Sequence, residues 1–176
     1  MMNRKRLLDV GCGEAIEAID FAKKGFIVFG VEKNKTIFEA ARRNIKKAHQ
    51  EKSITLINKN IRDVDLNIKF DLVIFSYVLM FMSKKEAYDL IEKYYEKLRL
   101  GGEIIVRMLM SDDKTVKNMR EKRKTEVFFP TKEELKLLAE KFHANPDFKV
   151  IRDKPHGKMK YKHTHSTGHF RIKGSC

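Results

Sequence analysis

The stretch "LLDVGCGEA" (residues 7–15) runs an apolar strand directly into two glycines that flank a cysteine. Glycine at such a break permits left-handed backbone angles and lets the main chain approach a ligand with no Cβ between them. Residues 15–24 then carry apolar side chains at helical spacing. The opening of the chain therefore reads as strand, tight turn, helix.

The same rhythm recurs downstream. Short apolar runs at 7–10, 27–32, 54–58, 70–76 and 103–109 read as strands, and 15–24, 36–51 and 84–98 read as helices. In the second helix Ile37, Ala40, Ala41, Ile45 and Ala48 share a face, with lysines and arginines opposite. The fourth run, "FDLVIF" (70–75), is apolar almost throughout, as a central parallel strand buried on both faces would be. Strands alternating with helices at this spacing form right-handed βαβ units. The predicted fold class is α/β: an open, mostly parallel twisted sheet with helices on both faces.

After Ser111 the pattern changes. Residues 111–129 are mostly polar and charged and read as a loop or surface helix. In "PTKEELKLLAEKF" (130–142), Thr131 stands at the N-cap with Glu134 three residues on, and Leu135, Leu138 and Phe142 come after. The segments "FKVIRD" (148–153) and "KYKHTHSTGHFRIKG" (160–174), separated by Pro155-His156-Gly157, are predicted to close the sheet as an antiparallel pair. His163, His165 and His169 share parity on the last strand.

Composition narrows the class. The 176 residues carry a net charge of +14, and 27 of the 38 basic residues are lysines spread along the whole chain. The excess thickens at 114–124 and 149–173, which keeps nucleic-acid binding open as an alternative. No apolar run approaches the ~18 residues that span a bilayer. The basic start is followed by too few apolar residues for a signal peptide. A cytoplasmic protein with no membrane partner is expected. Two cysteines, Cys12 and Cys176, make no disulfide framework, and Cys12 reads as a small apolar filler. His163-x-His165 has no cysteine or carboxylate at ligand spacing, so no metal is expected.

In an open α/β sheet the ligand sits at the carboxyl ends of the strands, where strand order reverses. Gly11 and Gly13 fall at that point. The dinucleotide fingerprint fails because Ile16 stands where its third glycine belongs, and there is no Gly-Lys-Ser/Thr for a P-loop. Glu32 ends the second strand, where a carboxylate can take both hydroxyls of a ribose. Backbone N–H groups at the start of the 15–24 helix suit a carboxylate.

The segments "LLDVGCGEA", "VFGVEKN", "NKNI", "FDLVIFSYVLMF" and "LRLGGEIIVRM" stand in the order found in class I S-adenosylmethionine-dependent methyltransferases. The chain resembles that family over about residues 6–110, and the fold expected is accordingly Rossmann-like. With "YVLMFM", "FFPTKEELKLLAE" and a histidine-bearing final hairpin, it looks like the tellurite-resistance (TehB-like) branch of small-molecule methyltransferases. The resemblance implies one domain over 1–176, with a cofactor half to about residue 110 and a substrate-side half beyond it. Asp9 would order the glycine loop near the methionine amino group, and Gly11, Cys12 and Gly13 would pass under the methionine part. Glu32 would take the ribose hydroxyls, and Lys33 would border the adenine. Asn60, where an aspartate is usual, and Ile61 would hold the adenine edge. Ser76 and Tyr77 would close around the methionine end. Ala15 stands at a common third glycine.

For the acceptor, the segment after the fourth strand is Ser76-Tyr77-Val78-Leu79 and lacks the Asn/Asp-Pro-Pro-aromatic motif of exocyclic-amine methyltransferases. A small acceptor is implied: a metalloid oxyanion such as tellurite or selenite, or a thiol. His156 is the nearest match to a histidine that acts at the substrate, with Gly157 where part of that family has arginine. The family usually carries a helix or two before the first strand, and a partner copy in a homodimer is one way to supply that cover. The alternatives are an RNA-modifying methyltransferase and a non-catalytic cofactor-binding protein of the same fold.

Overall fold

The computed structural model describes residues 4–112, 116, 127–144, 147–153 and 163–173. In chain order they form β1 (Arg6–Val10), α1 (Ile16–Lys23), β2 (Ile27–Val31), α2 (Lys35–Lys47), β3 (Ile54–Ile57), β4 (Phe70–Ser76), α3 (Lys84–Tyr95), β5 (Leu98–Leu109), α4 (Lys132–Glu140), β6 (Asp147–Asp153) and β7 (His163–Lys173). Single 3-10 turns lie at Ile61–Asp63 and Leu79–Phe81. The strand order is β3-β2-β1-β4-β5-β7-β6. The first two neighbours of β1 are parallel to it, and β6 and β7 are antiparallel, as the sequence predicts.

The chain divides into two compact units. One comprises Met1–Ser76, Glu92–Ile105 and Lys173–Cys176, the other Tyr77–Ile91 and Val106–Ile172. In the first, β1 lies between β2 and β4, with Val10 level with Val31 on one side and Phe75 on the other. One core layer gathers Leu7, Ala18, Ile19, Val28, Ala41, Ile45, Ile54, Leu72 and Ile74, all buried. Each of the larger side chains contributes about 1.5–3 kcal/mol by leaving water. Phe29, Phe70, Phe75 and Tyr94 form a second group through ring contacts at 6.0–6.5 Å. At the amino-terminal ends of the strands, Asp71 accepts from the Arg6 N–H at 2.7 Å and pairs with Arg99 at 3.2 Å.

Helix ends explain where the observed elements differ from prediction. The α2 pattern continues to residue 51, yet the helix stops at Lys47 because His49 turns left-handed (φ 55°). Gln50 then donates to the Ile45 carbonyl at 3.1 Å, a Schellman-type closure. Ile37, assigned to the apolar face, is 37% exposed, while Ala41 and Ile45 are buried. The third helix ends at Tyr95 rather than 98, and β5 begins at Leu98 rather than 103. The Lys97 carbonyl already accepts from the Phe70 N–H at 2.8 Å, so the chain has joined the sheet by then. It turns at Gly101 (φ 72°), and a Cβ on Gly102 would stand 2.9 Å from the Arg99 carbonyl oxygen. Both glycines are therefore required by geometry.

Tyr94 is fully buried, and its hydroxyl has no hydrogen-bond partner among the described residues. Burial, helped by the charge of Asp65, pushes its pKa from 10.0 up to about 12. The folded state thus holds this proton more tightly than the unfolded chain does. Stability is unaffected by Tyr94 below about pH 10 and falls as pH rises from there toward 12. Tyr94→Phe is expected to hold or raise stability by about 1 kcal/mol at neutral pH. It should also flatten the alkaline loss, as urea unfolding at pH 7 and 11 would measure.

In the second unit Met80, Leu109, Val116 and Phe129 cluster, with Tyr77 and Val127 packed against them. The predicted capping box forms at α4: Thr131 accepts from the Glu134 N–H, and Glu134 accepts from the Thr131 N–H. Leu135, Leu138 and Phe142 are buried.

Candidate active site

Val31 ends β2 with a carbonyl that accepts two N–H groups, Gly11 at 2.8 Å and Cys12 at 3.1 Å. Ala15 N–H then donates to the Cys12 carbonyl at 2.9 Å, closing the turn. Gly11, Gly13 and Ala15 are left-handed, with φ of 69°, 56° and 64°. Ala15 thus takes the conformation that a glycine would favour, at a cost of roughly 1–2 kcal/mol. A Cβ built on Gly13 meets nothing within 4 Å among the described residues, so these leave that face of the turn open to a ligand.

Cys12 faces the other way. A Cβ on Gly30 of β2 would lie 3.0 Å from its sulfur and 3.0 Å from Leu56, which shows how closely the thiol packs on the sheet. Burial pushes the Cys12 thiol well above the ordinary range, and the charges of Asp9 and Glu32 add to this. A thiol held neutral in this way is no nucleophile. The filler role read from the sequence fits its packing.

Glu32, just past β2, is 8% exposed. Its Oε2 accepts from the Gly13 N–H at 3.2 Å and its Oε1 from the Asn34 N–H at 2.7 Å. A carboxylate has about four acceptor positions, so two remain for further donors. Asn34 also caps α2, its Oδ1 accepting from Thr36 and Ile37. Asn58, beyond β3, donates from Nδ2 to the Glu32 carbonyl at 2.7 Å and to that of Lys33 at 3.3 Å. One carboxylate therefore ties the glycine turn to the start of α2, and one amide ties the same segment to β3.

Of the predicted residues, Asp9, 2% exposed, lies in β1 beneath the turn, level with Gly30 and Ile74. Lys33 is exposed beside Glu32. Asn60 caps the 61–63 turn, its Oδ1 accepting from the Arg62 N–H at 3.2 Å, and Ile61 is buried. Ser76 closes the first unit and donates from Oγ to Glu17 Oε2 at 3.1 Å. Tyr77 belongs to the second unit. It is left-handed (φ 55°) and donates its N–H to the Arg107 carbonyl at 2.9 Å. His156 lies outside the described residues, as do most of 114–124 and part of 149–173. His163, His165 and His169 take alternate positions on β7, with His163 opposite Asp153 and His169 opposite Asp147. Among the described residues no group of His, Cys, Asp or Glu is arranged to hold a metal ion, and no helix is long and apolar enough to cross a membrane.

Sequence reading did not assign Asn58, Asn34 or Glu17. Asn34 had a local signal, an asparagine before an amphipathic run. Asn58 and Glu17 gain their partners only through strand and helix placement.

Residues 7–102 match the family model described as a methyltransferase domain. The carboxy-S-adenosyl-L-methionine synthase of Aliivibrio fischeri (strain ATCC 700601 / ES114) is 26% identical over 102 residues, 56% of this chain and 42% of that protein. This chain thus spans about two-fifths of the length of such curated relatives. Among solved structures, TehB from Haemophilus influenzae superposes with a TM-score of 0.76 at 14% identity, over 99% of this chain and 59% of that one. Magnesium protoporphyrin IX methyltransferase from Synechocystis PCC 6803, with bound SAH, gives 0.67 at 15% identity, over 98% and 75%.

Proposed function

Since the chain belongs to the methyltransferase-domain family, we propose that it binds S-adenosylmethionine over the β1–α1 turn and transfers a methyl group to a small nucleophile. The observation that carries this is Glu32: a buried carboxylate at the end of β2, fixed by Gly13 and Asn34, with acceptor capacity to spare. That is what two vicinal ribose hydroxyls require. The open face of Gly13 suits close approach of the ligand. The first turn of α1 has no side-chain cap among the described residues, which leaves backbone N–H groups for the ligand's carboxylate.

The cofactor, when bound, supplies a methyl group already activated as a sulfonium. The chain's task is then alignment and exclusion of water. Asp9 beneath the turn and Glu32 beside it put negative charge around this loop in a chain of net charge +14, which favours a cationic ligand there. The reading of a metalloid oxyanion or thiol as acceptor is supported by Ser76-Tyr77-Val78-Leu79, which lacks the proline motif of amine methyltransferases.

Calorimetric titration of the chain with S-adenosylmethionine, and separately with S-adenosylhomocysteine, tests the cofactor. Micromolar binding of both is expected, and absence of heat with either overturns the reading. Formation of S-adenosylhomocysteine on adding tellurite, selenite or a thiol tests the acceptor. No turnover with any of these three acceptors would remove the small soft acceptor.

A further inference from the structure

Charge is unevenly shared among the four helices. α2 carries five cations and one carboxylate, whereas α1 carries one and two, α3 three and three, and α4 two and three. Lys35, Arg42, Arg43, Lys46 and Lys47 are all exposed, while Ala41 and Ile45 of the same helix are buried in the core. On α3 the lysines find acids: Lys84 pairs with Glu134 at 2.8 Å and Lys85 with Asp89 at 2.6 Å. On α2 Arg42 pairs with Glu39 at 2.9 Å, but Arg43, Lys46 and Lys47 make no ion pair among the described residues.

Helix physics alone does not account for this row. Arg42 with Lys46, and Arg43 with Lys47, stand one turn apart, the spacing at which like charges repel. The helix dipole favours Lys46 and Lys47 in the last turn, yet it disfavours Lys35 at the first position. A polyanion laid along the helix would turn that repulsion into attraction. At 1.5 Å per residue the cations from Lys35 to Lys47 extend about 18 Å, enough to meet several phosphates.

We infer that the outer face of α2 is a docking surface for double-stranded RNA, which it holds by the phosphates. A single strand needs aromatic platforms for its bases, and the exposed face of α2 has none, its one ring, Phe38, being half-buried. A membrane surface is held by an apolar face beside the cations, and α2 has turned Ala41 and Ile45 into the core. Duplex DNA is read by an element that enters its ~12 Å major groove, whereas α2 packs along the sheet and offers one side only. A-form RNA sets its two phosphate rows across a deep, narrow groove and is recognised mostly by shape and backbone. That charge density matches a ridge of cations with no reader of base edges.

Fluorescence anisotropy with a labelled RNA duplex of about 16 base pairs measures the docking. The full chain is compared with its Arg43→Gln/Lys46→Gln/Lys47→Gln variant and with a Lys23→Gln/Lys136→Gln/Lys173→Gln control of equal net charge. The control lysines are exposed and lie off α2. The α2 variant is expected to bind at least tenfold more weakly near 0.1 M salt, and the slope of log K against log salt should shrink by about 2–3. The control should change affinity by less than about threefold. Arg43→Lys/Lys46→Arg/Lys47→Arg, which keeps the charge, should bind as the native chain does. Equal losses in the glutamine variant and the control, no loss in either, or a loss in the charge-keeping variant would overturn the role of α2. A DNA duplex of the same sequence bound as tightly would overturn the assignment to RNA. Retention on phosphatidylserine-containing vesicles, lost in the α2 glutamine variant, would assign the face to a membrane instead. None of these arms depends on the cofactor reading.

Discussion

Gly30→Val is expected to lower the unfolding free energy by about 3 kcal/mol, near the upper end for overpacking a tight core. The reason lies in one triangle of contacts. Even the first carbon of a side chain at position 30 would sit 3.0 Å from the Cys12 sulfur and 3.0 Å from a Leu56 methyl. Valine adds two more carbons where even the first already crowds two side chains. Cys12 cannot withdraw without dragging the turn, because its N–H and that of Gly11 are held by the Val31 carbonyl. The strain should therefore pass into the glycine loop, and ligand affinity should fall with stability. Gly30→Ala should cost less, and adding Cys12→Ala should restore part of the loss, since neighbouring sites couple. Urea unfolding of the four variants in a double-mutant cycle measures this. A coupling near zero would show that the thiol is not the obstacle.

Glu32→Ala is expected to weaken S-adenosylhomocysteine binding by about a hundredfold or more. In the proposed role of Glu32, two charge-assisted hydrogen bonds to ribose hydroxyls would be lost, each worth about 1.5–3 kcal/mol. The variant also strips the Gly13 and Asn34 N–H groups of their acceptor, so the turn loses its tie to the start of α2. Glu32→Gln is not a conservative change here. The two carboxylate oxygens each accept a backbone N–H from a different side, and an amide can offer an oxygen to only one of them. Its NH₂ would face the other N–H. Calorimetry should place the Gln variant nearer to Ala than to the native chain. A Gln variant of native affinity would mean that these backbone donors do not set the loop.

The parallel half of the sheet was legible because each strand is an apolar run closed by a turn, and "FDLVIF" is buried from Phe70 to Phe75 apart from Asp71. What was missed lay at element ends. The apolar period of α2 says nothing of His49, whose left-handed backbone stops the helix, and the Leu98–Gly102 segment has too little alternation to declare a strand. The site divides in the same way. Gly11, Gly13 and Glu32 are readable from local chemistry, since a turn and a strand end are local features. Asn58 and Glu17 are not. One meets its partners through the pairing of β2 with β3, the other through that of β1 with β4.

The doubly used Val31 carbonyl has a kinetic consequence. Because the turn is pinned by bonds that the chain itself supplies, from the Val31 carbonyl and from Glu32, capture should require little rearrangement of this loop. Ligands then enter a site whose ordering entropy was spent during folding. Differences in affinity among ligands and among variants that leave the pins intact would be expressed mainly as residence time, with similar rates of capture. Variants that cut a pin would slow arrival as well.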